Sequence, residues 1–312
     1  MPSNTSGRVG YFGPAGTFTH QALQALRGVD QDQVPYPTVG AGLSAVRTGE
    51  IETIMVPIEN SVEGGVSATL DNLALSDPPL MITGEIVQPV RFGLYGRPGA
   101  QRHPGMRILT HPHAAAQCRA WLATNYPDAE VTEGPSTAGA ASEVANPNSV
   151  WDAAICAPLA GQLYGLTALA TEIADNAEAV TRFVTVTRLG RPPAASGNDK
   201  TTLVLFQRDD HPGGLTEILS QFASRGVNLC RLESRPTKAL LGDYCFSVDV
   251  EGHVADAQLG DALMGLHRVC RNVIFLGSYP RADGTDSHHP GSSNAAYTEA
   301  QQWLSQLRAS NG

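Results

Sequence analysis

The chain has 312 residues, enough for two or three domains that each bury a core, and its 42% hydrophobic and 16% charged residues are those of a globular protein. A formal net charge of −9 argues against nucleic acid as a partner, because phosphate binding needs basic surface; an anionic substrate needs a local positive site. The opening MPSNTSGRVG has no apolar stretch of the signal-peptide kind, and no apolar run is long enough to span a bilayer, so a cytoplasmic location without a membrane partner is expected.

In chain order, residues 9–12 read as a short apolar strand, and Gly13-Pro14-Ala15-Gly16 as turn chemistry. Thr17 or Thr19 caps a helix that runs to about Leu26. A helix over 41–48 and a strand over 53–57 follow. That strand ends in Ile58-Glu59-Asn60-Ser61, then Gly64-Gly65 and a helix to about Leu75. Further strands are expected at 81–90, 107–110, 150–157 and 181–189, with helices at 113–125 and 158–165. The alternation of strand and helix argues for a largely parallel α/β architecture. Residues 190–199 are rich in Pro, Gly and small polar side chains and read as a linker. Beyond it the pattern becomes strand 201–207, helix 213–224, strand 227–234, turn 236–242, strand 243–251, helix 254–267 and strand 273–279. That βαββαβ order is the ferredoxin-like arrangement. Residues 281–295 are polar and Gly/Ser-rich, a composition of disorder, and 296–307 form a short helix.

Four strand ends carry candidate chemistry, because ligands of α/β sheets bind beyond the carboxyl ends of strands. The turn at Gly13–Thr17 either holds an anion on its amides and the following helix N-terminus, or is an ordinary connection. It lacks the spacing of a nucleotide fingerprint, and no cofactor is expected. Asn60 and Ser61 serve a ligand or cap a helix. Thr110 and Gln117, around His111-Pro112-His113, reach a cleft, or cap and face solvent. In Thr181-Arg182-Phe183, Arg182 is a carboxylate clamp or a surface arginine beside a buried Phe183. Alternation along 229–236 puts Leu229, Arg231, Glu233 and Arg235 on one face and Cys230, Leu232 and Ser234 on the other. Glu233 and Arg235 suit the two charges of an amino acid, or form a surface ion pair. The five cysteines, Cys118, Cys156, Cys230, Cys245 and Cys270, include no CxxC pair and read as free thiols. His111 with His113 and His288 with His289 lack metal-ligand spacing, and no metal is expected.

Taken together, Gly13–Thr17, Val56–Ser61, Thr110-His111-Pro112 with Gln117, Ser136-Thr137-Ala138, Leu163–Leu166, Thr181-Arg182-Phe183 and Glu233–Pro236 resemble the monofunctional prephenate dehydratases that carry a C-terminal ACT domain. The likeness runs in order from about Gly10 to Tyr279. It implies a two-lobed catalytic region, similar to periplasmic binding proteins, over 7–190, with lobe one at about 7–80 and 172–190 and lobe two at about 81–171. A linker at 191–200, an ACT domain at 201–280 and a partly disordered tail at 281–312 follow. The implied catalytic residues are Thr181, Asn60, Thr110 (often serine in the family) and Gln117, with Arg182, Phe183, Thr17 and Ser61 at the substrate. His111 is a candidate acid. Phenylalanine is implied to bind at Gly213, Gly214 (usually alanine in the family) and Leu215, with Asn228, Glu233, Ser234, Arg235 and Pro236. The implied reaction is decarboxylating dehydration of prephenate to phenylpyruvate, with feedback by L-phenylalanine in a homodimer or homotetramer. Arogenate dehydration and solute binding without chemistry are the competing readings.

Overall fold

The structure, a computed structural model, describes residues 7–27, 32–74, 77–237, 243–283 and 294–310. The chain starts with strand β1 (Val9–Phe12), helix α1 (Phe18–Arg27), β2 (Gln33–Tyr36), α2 (Val39–Thr48), β3 (Thr53–Asn60), the short β4 (Gly64–Gly65), α3 (Ser67–Ala74) and β5 (Leu80–Pro89). There follow β6 (Gly93–Gly96), β7 (Arg107–Thr110), α4 (Pro112–Gln117), α5 (Arg119–Asn125), β8 (Glu130–Glu133), α6 (Thr137–Ala145), β9 (Ala153–Cys156), α7 (Pro158–Leu163), β10 (Thr167–Ala170) and β11 (Val180–Arg188). The remainder is β12 (Asp199–Phe206), α8 (Gly214–Ala223), β13 (Leu229–Pro236), β14 (Tyr244–Glu251), α9 (Ala257–Val269), β15 (Asn272–Pro280) and α10 (Asn294–Ser310). Two compact units divide the chain, residues 1–69 with 86–184 and residues 70–85 with 185–312, so that β5 and β11 each run from one unit into the other.

The first unit holds two lobes. The sheet of lobe one has the order β2-β1-β3-β11-β5, with β4 paired to β3, and β1 runs parallel to both β2 and β3. Its centre is apolar on both faces, with Ile54, Met55 and Val56 fully buried in β3, as a covered sheet requires. The sheet of lobe two has the order β10-β6-β9-β7-β8. Only β7 runs parallel to β8 and β9 there; β6 is antiparallel to β9 and β10. The expectation of a largely parallel fold therefore fails in lobe two.

The lobe boundary read from the sequence also moves. β5 does not open lobe two; it pairs with β11 in the first sheet, where Val90 N donates to Ala179 O at 2.8 Å. Lobe two consists of β6 to β10, residues 93–170. The single helix expected over 113–125 is two, α4 and α5, broken at Cys118. The cause lies far along the chain: the Asp175 carboxylate accepts from Ala120 N at 2.9 Å and Trp121 N at 3.0 Å, so a remote residue caps α5.

The second unit contains the βαββαβ fold, an antiparallel sheet of order β13-β14-β12-β15. One sheet face packs Leu203, Leu205, Phe246, Val248 and Val250 against Ile218 and Phe222 of α8 and Leu259, Ala262 and Leu266 of α9. The other face is polar. Lys200 Nζ lies 2.9 Å from Glu85 Oε1 and 3.0 Å from Asp283 Oδ2, and Arg231 Nε lies 2.9 Å from Asp249 Oδ2. Burying these charges is tolerable because each is paired. Helix α10 packs on α9, and Tyr297 Oη donates to Arg225 O at 3.1 Å. Most of the turn expected over 236–242 and most of the polar stretch over 281–295 lie outside the described residues; Arg281 and Asp283 are described, and they form an ion pair at 3.0 Å. No described helix is long and apolar enough to cross a membrane.

Candidate active site

Strands β3 and β11 place the central pair. Ser61 locks their ends together: its N–H donates to Val180 O at 2.9 Å, and its Oγ accepts from Val180 N at 3.0 Å. This sets Asn60 beside Thr181, whose Oγ1 accepts from Asn60 Nδ2 at 2.8 Å. The Asn60 amide cannot turn round, because its Oδ1 already accepts from Val62 N at 2.8 Å and Glu63 N at 3.1 Å. A hydroxyl that accepts from an amide keeps its own proton to donate. Among the described residues the Thr181 hydroxyl has no acceptor, so its proton remains available to donate.

Successive strand residues point to opposite faces, and this separates Thr181 from Arg182. Arg182 is buried, and its Nε lies 3.1 Å from Glu59 Oε2, one residue from Asn60 on the neighbouring strand. Arg182 and Glu59 thus pair on one face, and Thr181 and Asn60 on the other. The clamp expected at Arg182 is not on the Thr181 face. Phe183 is core, packed with Val9, Tyr11, Ala22, Leu23 and Met55.

Lobe two brings Thr110 and Gln117. Thr110 is fully buried and donates through Oγ1 to Ile155 O at 2.8 Å, so its proton is spent on β9. Gln117, on α4, reaches across to lobe one: its Nε2 donates to Glu63 Oε1 at 3.1 Å. Its Oε1 is buried and has no partner among the described residues. His113 Nδ1 lies 2.6 Å from the other Glu63 oxygen. His111 caps α4, its Nδ1 accepting from His113 N at 3.3 Å. Burial, then the neighbouring His113, hold its pKa below the usual histidine value. A neutral, capping imidazole is a poor general acid, which argues against His111 in that role.

Of the two readings of the glycine turn of lobe one, anion site or ordinary connection, the hydrogen bonds favour the connection. Gly13 N donates to Tyr36 O at 2.8 Å, Thr17 N to Pro14 O at 3.4 Å, and Gly16 N to His20 Nδ1 at 3.1 Å. Thr17 Oγ1 accepts from His20 N at 3.4 Å and so caps α1. Most of the turn's amides are therefore satisfied within the lobe. The turn instead meets lobe two. Tyr164 Oη donates to Ala15 O at 3.3 Å, and a Cβ on Gly16 would lie 2.9 Å from Ala160 Cα.

In the second unit, a cavity of about 300 Å³ is lined by Gly213, Gly214, Leu215, Ser234, Tyr244 and Phe246, among others. Glu233 and Arg235, the residues expected to hold a zwitterion, do not line it, because alternation turns them to the polar face. There Arg235 Nη2 lies 2.9 Å from Asp71 Oδ1, and Arg235 Nη1 lies 3.5 Å from Glu233 Oε1. Asn228 is exposed and donates to Glu251 Oε1 at 3.2 Å; Pro236 closes β13 opposite Tyr244. No described group of three or more His, Cys, Asp or Glu could hold a metal ion. The residue that sequence reasoning missed is Glu63. Its signal was weak: one carboxylate in a short loop, three residues after Asn60.

The prephenate dehydratase family model matches residues 9–190. The prephenate dehydratase of Amycolatopsis methanolica is 42% identical over 306 residues, covering 96% of this chain and 98% of the relative. A crystal structure of a prephenate dehydratase from Arthrobacter aurescens in complex with L-Phe is 47% identical, with a TM-score of 0.91, covering 97% of this chain and 99% of that one. A solved structure described as a quorum-quenching acylase, GqqA, is 31% identical with a TM-score of 0.78, covering 88% of this chain and 98% of that one. The chain belongs to the prephenate dehydratase family.

Proposed function

We propose that this chain converts prephenate to phenylpyruvate, with Thr181 as the residue that helps the ring hydroxyl depart. The carboxylate on the ring leaves as CO2, its bonding electron pair enters the ring, and the carbon–oxygen bond opposite breaks. The departing hydroxide takes one proton and leaves as water. Aromatisation drives the reaction, so the enzyme must orient the ring and stabilise charge growing on the leaving oxygen. The observation that carries this reading is the Asn60–Thr181 bond, whose direction commits the Thr181 proton to an outside acceptor. A threonine hydroxyl is far too weak an acid to give up its proton at neutral pH; it stabilises the oxygen by hydrogen bonding while water supplies the proton. Its partner is an amide, which takes no proton, and this supports leaving-group stabilisation over acyl transfer through an activated threonine.

L-phenylalanine is the proposed effector. The cavity at Gly213–Leu215 and Ser234, where the glycine turn and β13 converge, supports it. Tyr244 lines that cavity and is 46% exposed, and exposed Leu232 shares the Ser234 face of β13, which supports completion of the site by a second copy in a cytoplasmic homodimer or homotetramer. The deciding experiment follows phenylpyruvate formed from prephenate by its ultraviolet absorbance, and compares kcat/KM with that for arogenate. A preference for arogenate, or no product from either, overturns the assignment.

A further inference from the structure

Glu63 stands between the two halves of the site. Its backbone N–H holds Asn60 Oδ1 at 3.1 Å, while its carboxylate reaches α4 of the other lobe. There one oxygen accepts from Gln117 Nε2 at 3.1 Å and the other lies 2.6 Å from His113 Nδ1. His113 and Gln117 are four residues apart and so share one face of α4. An amide has two unlike ends, and which end faces the cleft decides what it can bind. A carboxylate only accepts, so Glu63 can hold only the Nε2 end. That commits Gln117 Oε1, buried and without a partner among the described residues, to act as the acceptor.

We propose that Glu63 is a positioning residue, which orients the Gln117 amide so that its oxygen accepts a hydrogen bond from the substrate's ring hydroxyl. The inference rests on the reaction assigned above. At neutral pH both carboxylates of prephenate are ionised, and the ring hydroxyl is its only hydrogen-bond donor. A buried neutral acceptor therefore matches that group alone. With the amide reversed, Gln117 would offer a donor, better suited to a carboxylate, and the hydroxyl would no longer be singled out.

The test is a double-mutant cycle in the full-length protein, read as kcat/KM for prephenate. Glu63→Ala keeps the backbone bond to Asn60, so the Thr181 donor survives. It is expected to lower kcat/KM about tenfold, the scale of one misdirected hydrogen bond, while Glu63→Gln, which retains an oxygen for Gln117 Nε2, stays within about threefold of the parent. In a Gln117→Ala background, Glu63→Ala is expected to cost less than about twofold. Equal losses in both backgrounds, or a Glu63→Gln loss as large as that of Glu63→Ala, overturn the proposal. Thermal midpoints of all variants are measured alongside, and a midpoint drop that alone tracks the activity loss also counts against it. Failure of the parent protein to form phenylpyruvate would sink the assigned reaction instead, so the two failures are distinct.

Discussion

Asn60 and Thr181 are 121 positions apart in the chain and joined by a 2.8 Å hydrogen bond in which the asparagine donates. The direction of that bond is set by two backbone amides, Val62 N and Glu63 N, which occupy the asparagine oxygen. Thr181→Ala removes the donor, and kcat is expected to fall about 10²–10³-fold with KM little changed, the signature of an interaction made in the transition state. Initial-rate measurement of phenylpyruvate formation checks this, and a near-parental kcat removes Thr181 from the mechanism.

Asn60→Asp tests direction rather than presence. A carboxylate cannot donate, so the Thr181 hydroxyl would turn to donate to it, and a negative charge would sit beside the place where hydroxide leaves. The expected kcat loss is at least as large as for Thr181→Ala, about 10²-fold or more, with the fold kept. Retained activity would show that the hydrogen-bond direction has no bearing on catalysis.

Gly16→Ala probes the contact of the glycine turn with lobe two. Gly16 has φ of 90°, and an added Cβ would meet Ala160 Cα at 2.9 Å, which is backbone and cannot swing away. Strain at such a position costs about 1–3 kcal/mol. Urea denaturation should show a loss of that size together with reduced kcat/KM; an unchanged midpoint would mean that the two lobes do not rely on this contact.

Filling the cavity of the βαββαβ unit should disable the effector. Ser234→Trp is expected to weaken phenylalanine binding at least tenfold, on the order of 1.4 kcal/mol, measured by calorimetry on the full-length protein. Unaltered binding would place the effector elsewhere.

His20 makes stability depend on pH. Its pKa lies below the usual histidine value of 6.5, chiefly through burial and despite the bond to Gln33. The unfolded chain then binds a proton near pH 6.5 that the folded chain refuses until lower pH. Stability is therefore complete above that pH and declines as pH falls below it. His20→Asn keeps an acceptor near Gly16 N and should flatten the decline in thermal midpoint between about pH 7 and 5.5. An equally steep decline in the variant assigns the effect to other groups.

Local pattern made much of this protein legible. Apolar runs marked β1, β3, β7 and β11, turn residues marked the connections, and the shift to βαββαβ after the linker marked a separate fold. The strands that escaped were those whose local pattern is poor. β6 is Gly-Leu-Tyr-Gly, buried throughout but with glycine at both ends, and β8 is Glu-Val-Thr-Glu, with little buried surface to write an alternation into the sequence. β5 was found as a strand but given to the wrong lobe, because which sheet a strand joins is decided by partners distant in the chain.

The same division runs through the site. Residue types and spacing left Thr181, Asn60 and Gln117 with more than one reading each, and the family resemblance made them the candidates of the site. Only the tertiary structure decided which partners each one has. Strand alternation turned Arg182 to Glu59 and Arg235 to Asp71, away from the groups they were expected to serve. The paired strand ends at Ser61 and Val180 brought Asn60 to Thr181, and Glu63 reached across the cleft to Gln117. A hydrogen bond has a direction, and that direction depends on every other partner of both groups. Asn60 and Thr181, and Gln117 and Glu63, are each more than fifty residues apart, while the amides that fix the Asn60 end are its near neighbours Val62 and Glu63, so the chemistry of these groups is settled where a local turn meets a distant strand or helix and cannot be read from either segment alone.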